Sequence, residues 1–107
     1  MDKLTEIMAW KRKEIASTIR PVSPRELSSL GSKMENEISF TEALANPEEL
    51  SVIAEIKRRS PSAGSIADGI SAVDQARSYL NADADALAIL TNQKYFGGEL
   101  KDLWEVN

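Results

Sequence analysis

The sequence predicts an α/β architecture: a helical extension followed by two βα units whose strands run parallel. Three observations carry that prediction. Residues 51–57 alternate with a period of two, placing Val52, Ala54 and Ile56 on one face and Ile53, Glu55 and Lys57 on the other. Ala86-Leu87-Ala88-Ile89-Leu90-Thr91 is apolar on both faces, as in a buried parallel strand. Between them, Ser71-Ala72-Val73-Asp74 starts a helix, and a strand–helix–strand connection of this size makes a right-handed parallel unit.

The elements follow in order. Leu4, Ile7, Met8, Ile15 and Ile19 recur at helical spacing through residues 2–20, with Lys11, Arg12, Lys13 and Glu14 mostly on the other side. Flanking acids make the Lys11–Lys13 run a solvated face rather than an anion patch. Pro21 ends this helix. Ser23-Pro24-Arg25-Glu26 combines a capping box with proline at the first helical position, for a short helix carrying Leu27 and Leu30 that stops at Gly31. Ser39-Phe40-Thr41-Glu42 repeats the capping pattern before Ala43, Leu44 and Ala45, and Asn46-Pro47 closes that turn. In the helix from Ser71, Val73, Ala76 and Leu80 are the apolar positions, and Asn81 tolerates the left-handed conformation that ends many helices. Residues 99–106 open a last helix with Leu100, Leu103 and Trp104 on one stripe and no cap before Asn107.

Composition narrows the chemistry. With 107 residues, 42% hydrophobic and 28% charged, the chain fits one small soluble globular domain and not a disordered segment. No apolar run approaches the roughly 20 residues a membrane span needs. The acidic start, Met1-Asp2-Lys3-Leu4-Thr5-Glu6, lacks the apolar centre of a signal peptide. Cysteine is absent, which removes disulfides and thiolate chemistry. Histidine is absent as well, so acid–base work falls to Lys, Glu, Asp or Tyr. The net charge of −4 disfavours nucleic acid as a partner. A cytoplasmic address fits all of this.

The strand at 51–57 is apolar at its start and charged at its carboxyl end. A barrel strand whose lower part packs and whose upper part opens onto a ligand has this pattern. An edge strand with one wet face has it too, and spacing alone does not separate them. Its continuation, Arg58-Arg59-Ser60-Pro61-Ser62-Ala63-Gly64-Ser65, is rich in donors. Pro61 biases Ser60 towards extended geometry, and Gly64 permits a positive φ that turns backbone N–H groups towards an anion. Neither a Walker loop nor a dinucleotide fingerprint is present. In a parallel sheet the loops after both strands lie at one end. Lys57 and Lys94 can then face one cleft beside Glu55, where two ammonium groups would bind an anion and like charge would lower one lysine pKa. The plainer reading makes Lys94 an ordinary loop lysine and Tyr95 and Phe96 loop-to-core contacts.

Two longer motifs go further. Ala54-Glu55-Ile56-Lys57-Arg58-Arg59-Ser60-Pro61-Ser62, followed by Ala86–Thr91 and Lys94-Tyr95-Phe96-Gly97-Gly98, resembles indole-3-glycerol-phosphate synthase of tryptophan biosynthesis. The N-terminal helix and Phe40 ahead of Ala43-Leu44 fit the extension that precedes strand one in that family. The resemblance covers nearly the whole chain. It implies an incomplete (βα)8 TIM barrel, with 1–49 as the N-terminal helical extension and 50–107 as the first two βα units. It also implies a lyase, a carboxy-lyase that works without a cofactor. Such an enzyme closes the indole ring of 1-(2-carboxyphenylamino)-1-deoxyribulose 5-phosphate with loss of CO2 and water. By the same resemblance Lys94 is the general acid, and Lys57 binds substrate anions and neutralises developing charge. Glu55 orients Lys57 and the substrate amine. Ser60 and Pro61 line the substrate, and Phe96 walls the anthranilate pocket. Ala63 stands where the family usually has Lys, and the run from Asn81 to Ala86 where it commonly has glycine and one acid.

Two strands cannot cover both faces of a sheet or satisfy both edges. The expectation is therefore the front portion of a longer protein, inactive alone because the second carboxylate and the phosphate-cradling loops of the family lie beyond Asn107. Such a fragment is expected to self-associate, with no nucleic acid or membrane partner. The small phosphorylated anthranilate-derived substrate belongs to the full-length enzyme. A self-associating interaction module without catalysis is the alternative. A barrel relative using Lys57 as a Schiff base is a third reading.

Overall fold

Short polar side chains set the helix starts. In the computed structural model, which describes residues 2–33, 39–67 and 69–107, Asp2, Ser23, Ser39 and Ser71 each accept a backbone N–H three residues on. The chain divides into two compact units, Met1–Ile38 and Ser39–Asn107.

In the first unit, α1 (Lys3–Ile15) is shorter than the apolar spacing predicts. The Thr18 N–H, the Thr18 hydroxyl and the Ile19 N–H all converge on the Ile15 carbonyl, so the chain unwinds well before Pro21. Lys11 pairs with Glu14 at 2.9 Å, in keeping with a solvated charged face. Helix α2 (Pro24–Gly31) begins on Ser23 with Pro24 in its first turn. Gly31 is its last helical residue and stays right-handed, so the stop uses no left-handed glycine. Arg20 forks onto the Glu26 carboxylate at 2.6 and 3.0 Å, tying the incoming segment to the first turn of α2.

The second unit starts with α3 (Phe40–Leu44), after which the Asn46 side chain accepts the Glu48 N–H at 3.0 Å in a local turn. The strand predicted at 51–57 is β1 (Ile53–Ile56), and the one at 86–91 is β4 (Ala86–Ile89). They pair in parallel, with Ile53 opposite Ala86, Glu55 opposite Ala88 and Ile56 opposite Ile89. The segment after β1, read as a loop, contains a small antiparallel hairpin, β2 (Arg59–Ser60) with β3 (Gly64–Ser65). Gly64 there has φ +65°, as its position demands.

Helix α4 (Ala72–Asn81) joins the two strands. Its buried stripe is Ala72 and Ala76, continued by Tyr79; of the apolar positions, Ala76 is in the stripe, and Leu80 is 60% exposed. Positions 72, 76 and 79 share one face at a period of 3.6, and two alanines let the helix approach Ile56 closely. The left-handed residue at its end is Asp83 (φ 64°) and not Asn81. The Asp83 N–H reaches Leu80 and the Ala84 N–H reaches Tyr79, which is a Schellman closure. Asp85 then accepts the Val52 N–H at 2.7 Å and starts the parallel pairing.

The residues after β4, read as a loop to Gly98, form a one-turn helix α5 (Gln93–Phe96) capped by Asn92. Helix α6 (Leu100–Val106) follows and packs against α4. Ile56, Ala72 and Ala76 form the buried core, with Tyr79, Leu87, Ile89 and Val106 around them. The second face of β1 is open, with Ile53 half exposed. Among the described residues the parallel sheet has two strands and no closed barrel, and no helix is long and apolar enough to cross a membrane.

Candidate functional site

The carboxyl end of β1 is where charge gathers. Glu55 and Lys57 leave the chain on one face, and the Lys57 ammonium lies 3.3 Å from the Glu55 carboxylate. Lys57 is about one-third exposed, so the pair is open to a ligand. The backbone beneath it is fixed from α4: the Tyr79 hydroxyl donates to the Glu55 carbonyl at 2.9 Å and accepts from the Gln75 amide at 3.2 Å.

Lys94 and Phe96 sit on α5, after β4. Lys94 is exposed, and its ammonium lies 5.5 Å from the centre of the Tyr95 ring. Phe96 is half-buried at the end of the turn. Ser60 and Pro61 lie on the hairpin after β1, where the Ser60 hydroxyl accepts the Ala63 N–H at 3.0 Å and so shapes the turn. The structure thus joins Glu55 to Lys57 directly and brings the segment carrying Lys94 and Phe96 against the segment carrying Ser60.

That junction is made by the two arginines that follow Lys57. Arg59 donates to the carbonyls of Gln93 and Lys94 at 2.7 and 3.3 Å, placing a cation at the end of α5. Arg58 forks onto Asp102 of α6 at 2.5 and 2.8 Å and donates to the Gly97 carbonyl at 3.2 Å. These hydrogen bonds hold the buried Asp102 carboxyl below its ordinary range, outweighing burial, which acts the other way; the Glu99 N–H adds to the lowering. The same bonds raise Arg58 above its ordinary value. The available signals were the second basic residue beside Lys57 and the acid three places after Glu99.

Two glycines permit close approaches here, one to the β1 side and one within the segment after β4. Gly97 is left-handed (φ 70°), and a side chain there would press on Arg59. At Gly98 a Cβ would fall 1.8 Å from the Leu90 carbonyl oxygen. At the tip of β1 the arrangement is a partly exposed ammonium braced by a carboxylate, suited to meeting an anion.

Two parallel strands joined by a helix, with charged residues at the carboxyl end of the first, define the class of this protein as α/β, built from parallel βα units. A more particular assignment comes from sequence comparison. The family model described as indole-3-glycerol phosphate synthase matches residues 4–107. Proteins of that name are 58% identical over 106 residues in Opitutus terrae, 41% over 102 in Bacteroides thetaiotaomicron and 38% over 107 in Oceanobacillus iheyensis. These alignments cover 98%, 95% and 100% of this chain but only 40%, 39% and 39% of the respective relatives. The chain belongs to the indole-3-glycerol phosphate synthase family, and it spans about 40% of the length of those relatives.

Proposed function

We propose that this chain supplies the front part of an indole-3-glycerol phosphate synthase: the helical extension and the first two βα units of a (βα)8 barrel. The observation that carries the reading is the Glu55–Lys57 pair at the carboxyl end of a strand paired in parallel with the next βα unit. In the complete enzyme, Lys57 binds the substrate's anionic groups and neutralises charge as the ring closes, with Glu55 holding its ammonium and the substrate amine in place. Lys94 protonates the ketone oxygen as the aromatic carbon attacks, and that oxygen leaves as water while CO2 departs. Ser60 and Pro61 run along the substrate, and Phe96 contributes an aromatic wall. The steps are redox-neutral overall. Support for Lys94 comes from the arginine bonds that hold its segment against the β1 loop.

The test is a chimera in which the matched segment of the Opitutus terrae relative is replaced by this chain. Indole fluorescence should report turnover of the ribulose substrate. Lys57→Ala and Lys94→Ala should each lower kcat/KM about 100-fold or more. An inactive but folded chimera would overturn the reading. Full activity of Lys94→Ala would remove the proton-donor role from Lys94 alone.

The second reading, a self-associating module, draws on the exposure of Leu100 (59%), Leu103 (46%) and Trp104 (72%). Size-exclusion chromatography with light scattering separates the two. A single stoichiometric oligomer would favour the self-associating module, and a polydisperse mixture would fit a part lacking its surroundings.

A further inference from the structure

We infer that Arg58, anchored by Asp102, is a positioning residue that pins the segment after β4 onto the tip of β1 and so sets the spacing between Lys57 and α5. The inference rests on the synthase reading for its catalytic consequence. It rests on geometry for the latch itself.

Successive residues leave an extended chain on opposite sides, so Lys57 stays beside Glu55 while Arg58 turns towards α6. Its guanidinium fills three acceptor positions: both Asp102 oxygens and the Gly97 carbonyl. Asp102 is 4% exposed and also accepts the Glu99 N–H at 3.0 Å, so one carboxylate closes the start of α6 and holds the arginine. Arg59 takes the Gln93 and Lys94 carbonyls of α5. Two consecutive arginines from the β1 side therefore grip the β4 side along its length. Gly97 supplies the close approach to Arg59, and Gly98 lets the same segment fold back onto the Leu90 carbonyl of its own side.

An ion pair this well buried is weak grounds for a stability role, because desolvation offsets much of the attraction. Its planar fork does fix direction, which a lysine cannot reproduce. Arg58 touches none of Glu55, Lys57 or Lys94 side chains through these bonds, so it acts through the backbone of the segment it holds.

The test has two arms. In the 107-residue chain, amide hydrogen exchange at Tyr95, Phe96, Gly97 and Gly98 should rise at least tenfold in Asp102→Asn and in Arg58→Lys. Exchange in α4 should change by less than threefold. In the chimera, Arg58→Lys should lower kcat about 10- to 100-fold with KM within threefold and Tm within a few degrees. Unchanged exchange at those four amides would overturn the latch, as would exchange rising equally throughout the second unit. Unchanged kcat in a folded Arg58→Lys chimera would overturn its catalytic consequence. A wild-type chimera without turnover would fault the synthase reading instead, and the exchange arm would still decide the latch.

Discussion

Gly98 has no room for a side chain, and the atom it would strike is backbone. A Cβ at 1.8 Å from the Leu90 oxygen forces the chain itself to move. Gly98→Ala should therefore cost about 2 kcal/mol or more in urea unfolding. Gly31→Ala makes the contrast: nothing lies within 4 Å of it in α2, and it should be neutral or add about 0.5–1 kcal/mol. Asp102 offers a pH test. Its folded pKa is lowered, so the stability it contributes is present above the unfolded value of about 4 and is lost as pH falls through the folded one. Any stability advantage of wild type over Asp102→Asn should shrink steadily below pH 4. At this scale the sequence was partly legible. Glu55 and Lys57 could be paired from a period of two, whereas Arg58 and Asp102 lie 44 residues apart and only the tertiary fold makes them neighbours.

Among elements, helix starts were the most readable features because a cap and its target N–H are three residues apart. Helix ends were readable in position but not in geometry. Helices α2 and α4 end at Gly31 and Asn81, where the sequence marks a stop, but Gly31 stays right-handed and the left-handed turn after α4 falls on Asp83. An aspartate at φ 64° sits in a conformation that favours glycine, so Asp83→Gly should stabilise the second unit by about 1 kcal/mol. A lower thermal midpoint would contradict this. Of the apolar positions of α4, Ala76 enters the core while the bulkier Leu80 stays exposed, because contact with Ile56 selects Ala72 and Ala76. The hairpin of β2 and β3 and the single turn of α5 are too short to leave a periodic signal. The stripe of α6 was read correctly and lies exposed, so Trp104 fluorescence should be red-shifted and readily quenched in a Trp10→Phe background. In the chimera it should shift to the blue as the stripe is covered.

For the whole molecule, the parallel pairing of two strands around a connecting helix was legible, since both strand patterns and the helix cap agree. The extent of the core was not. Only Ile56, Ala72 and Ala76 are buried apolar residues among those described, while Leu50, Val52, Ile53, Leu100, Leu103 and Trp104 remain exposed in the same unit. Burial of this size offsets little conformational entropy, so the second unit should unfold with low cooperativity and bind an apolar dye. Parallel strands are normally covered on both faces, and under the proposed reading the remaining βα units would cover these surfaces. The most direct measurement is indole fluorescence on addition of the ribulose substrate to the purified 107-residue chain, run beside the chimera. The expected result is no turnover by the chain and turnover by the chimera; indole-3-glycerol phosphate formed by the chain alone would contradict the claim that it holds only part of the site.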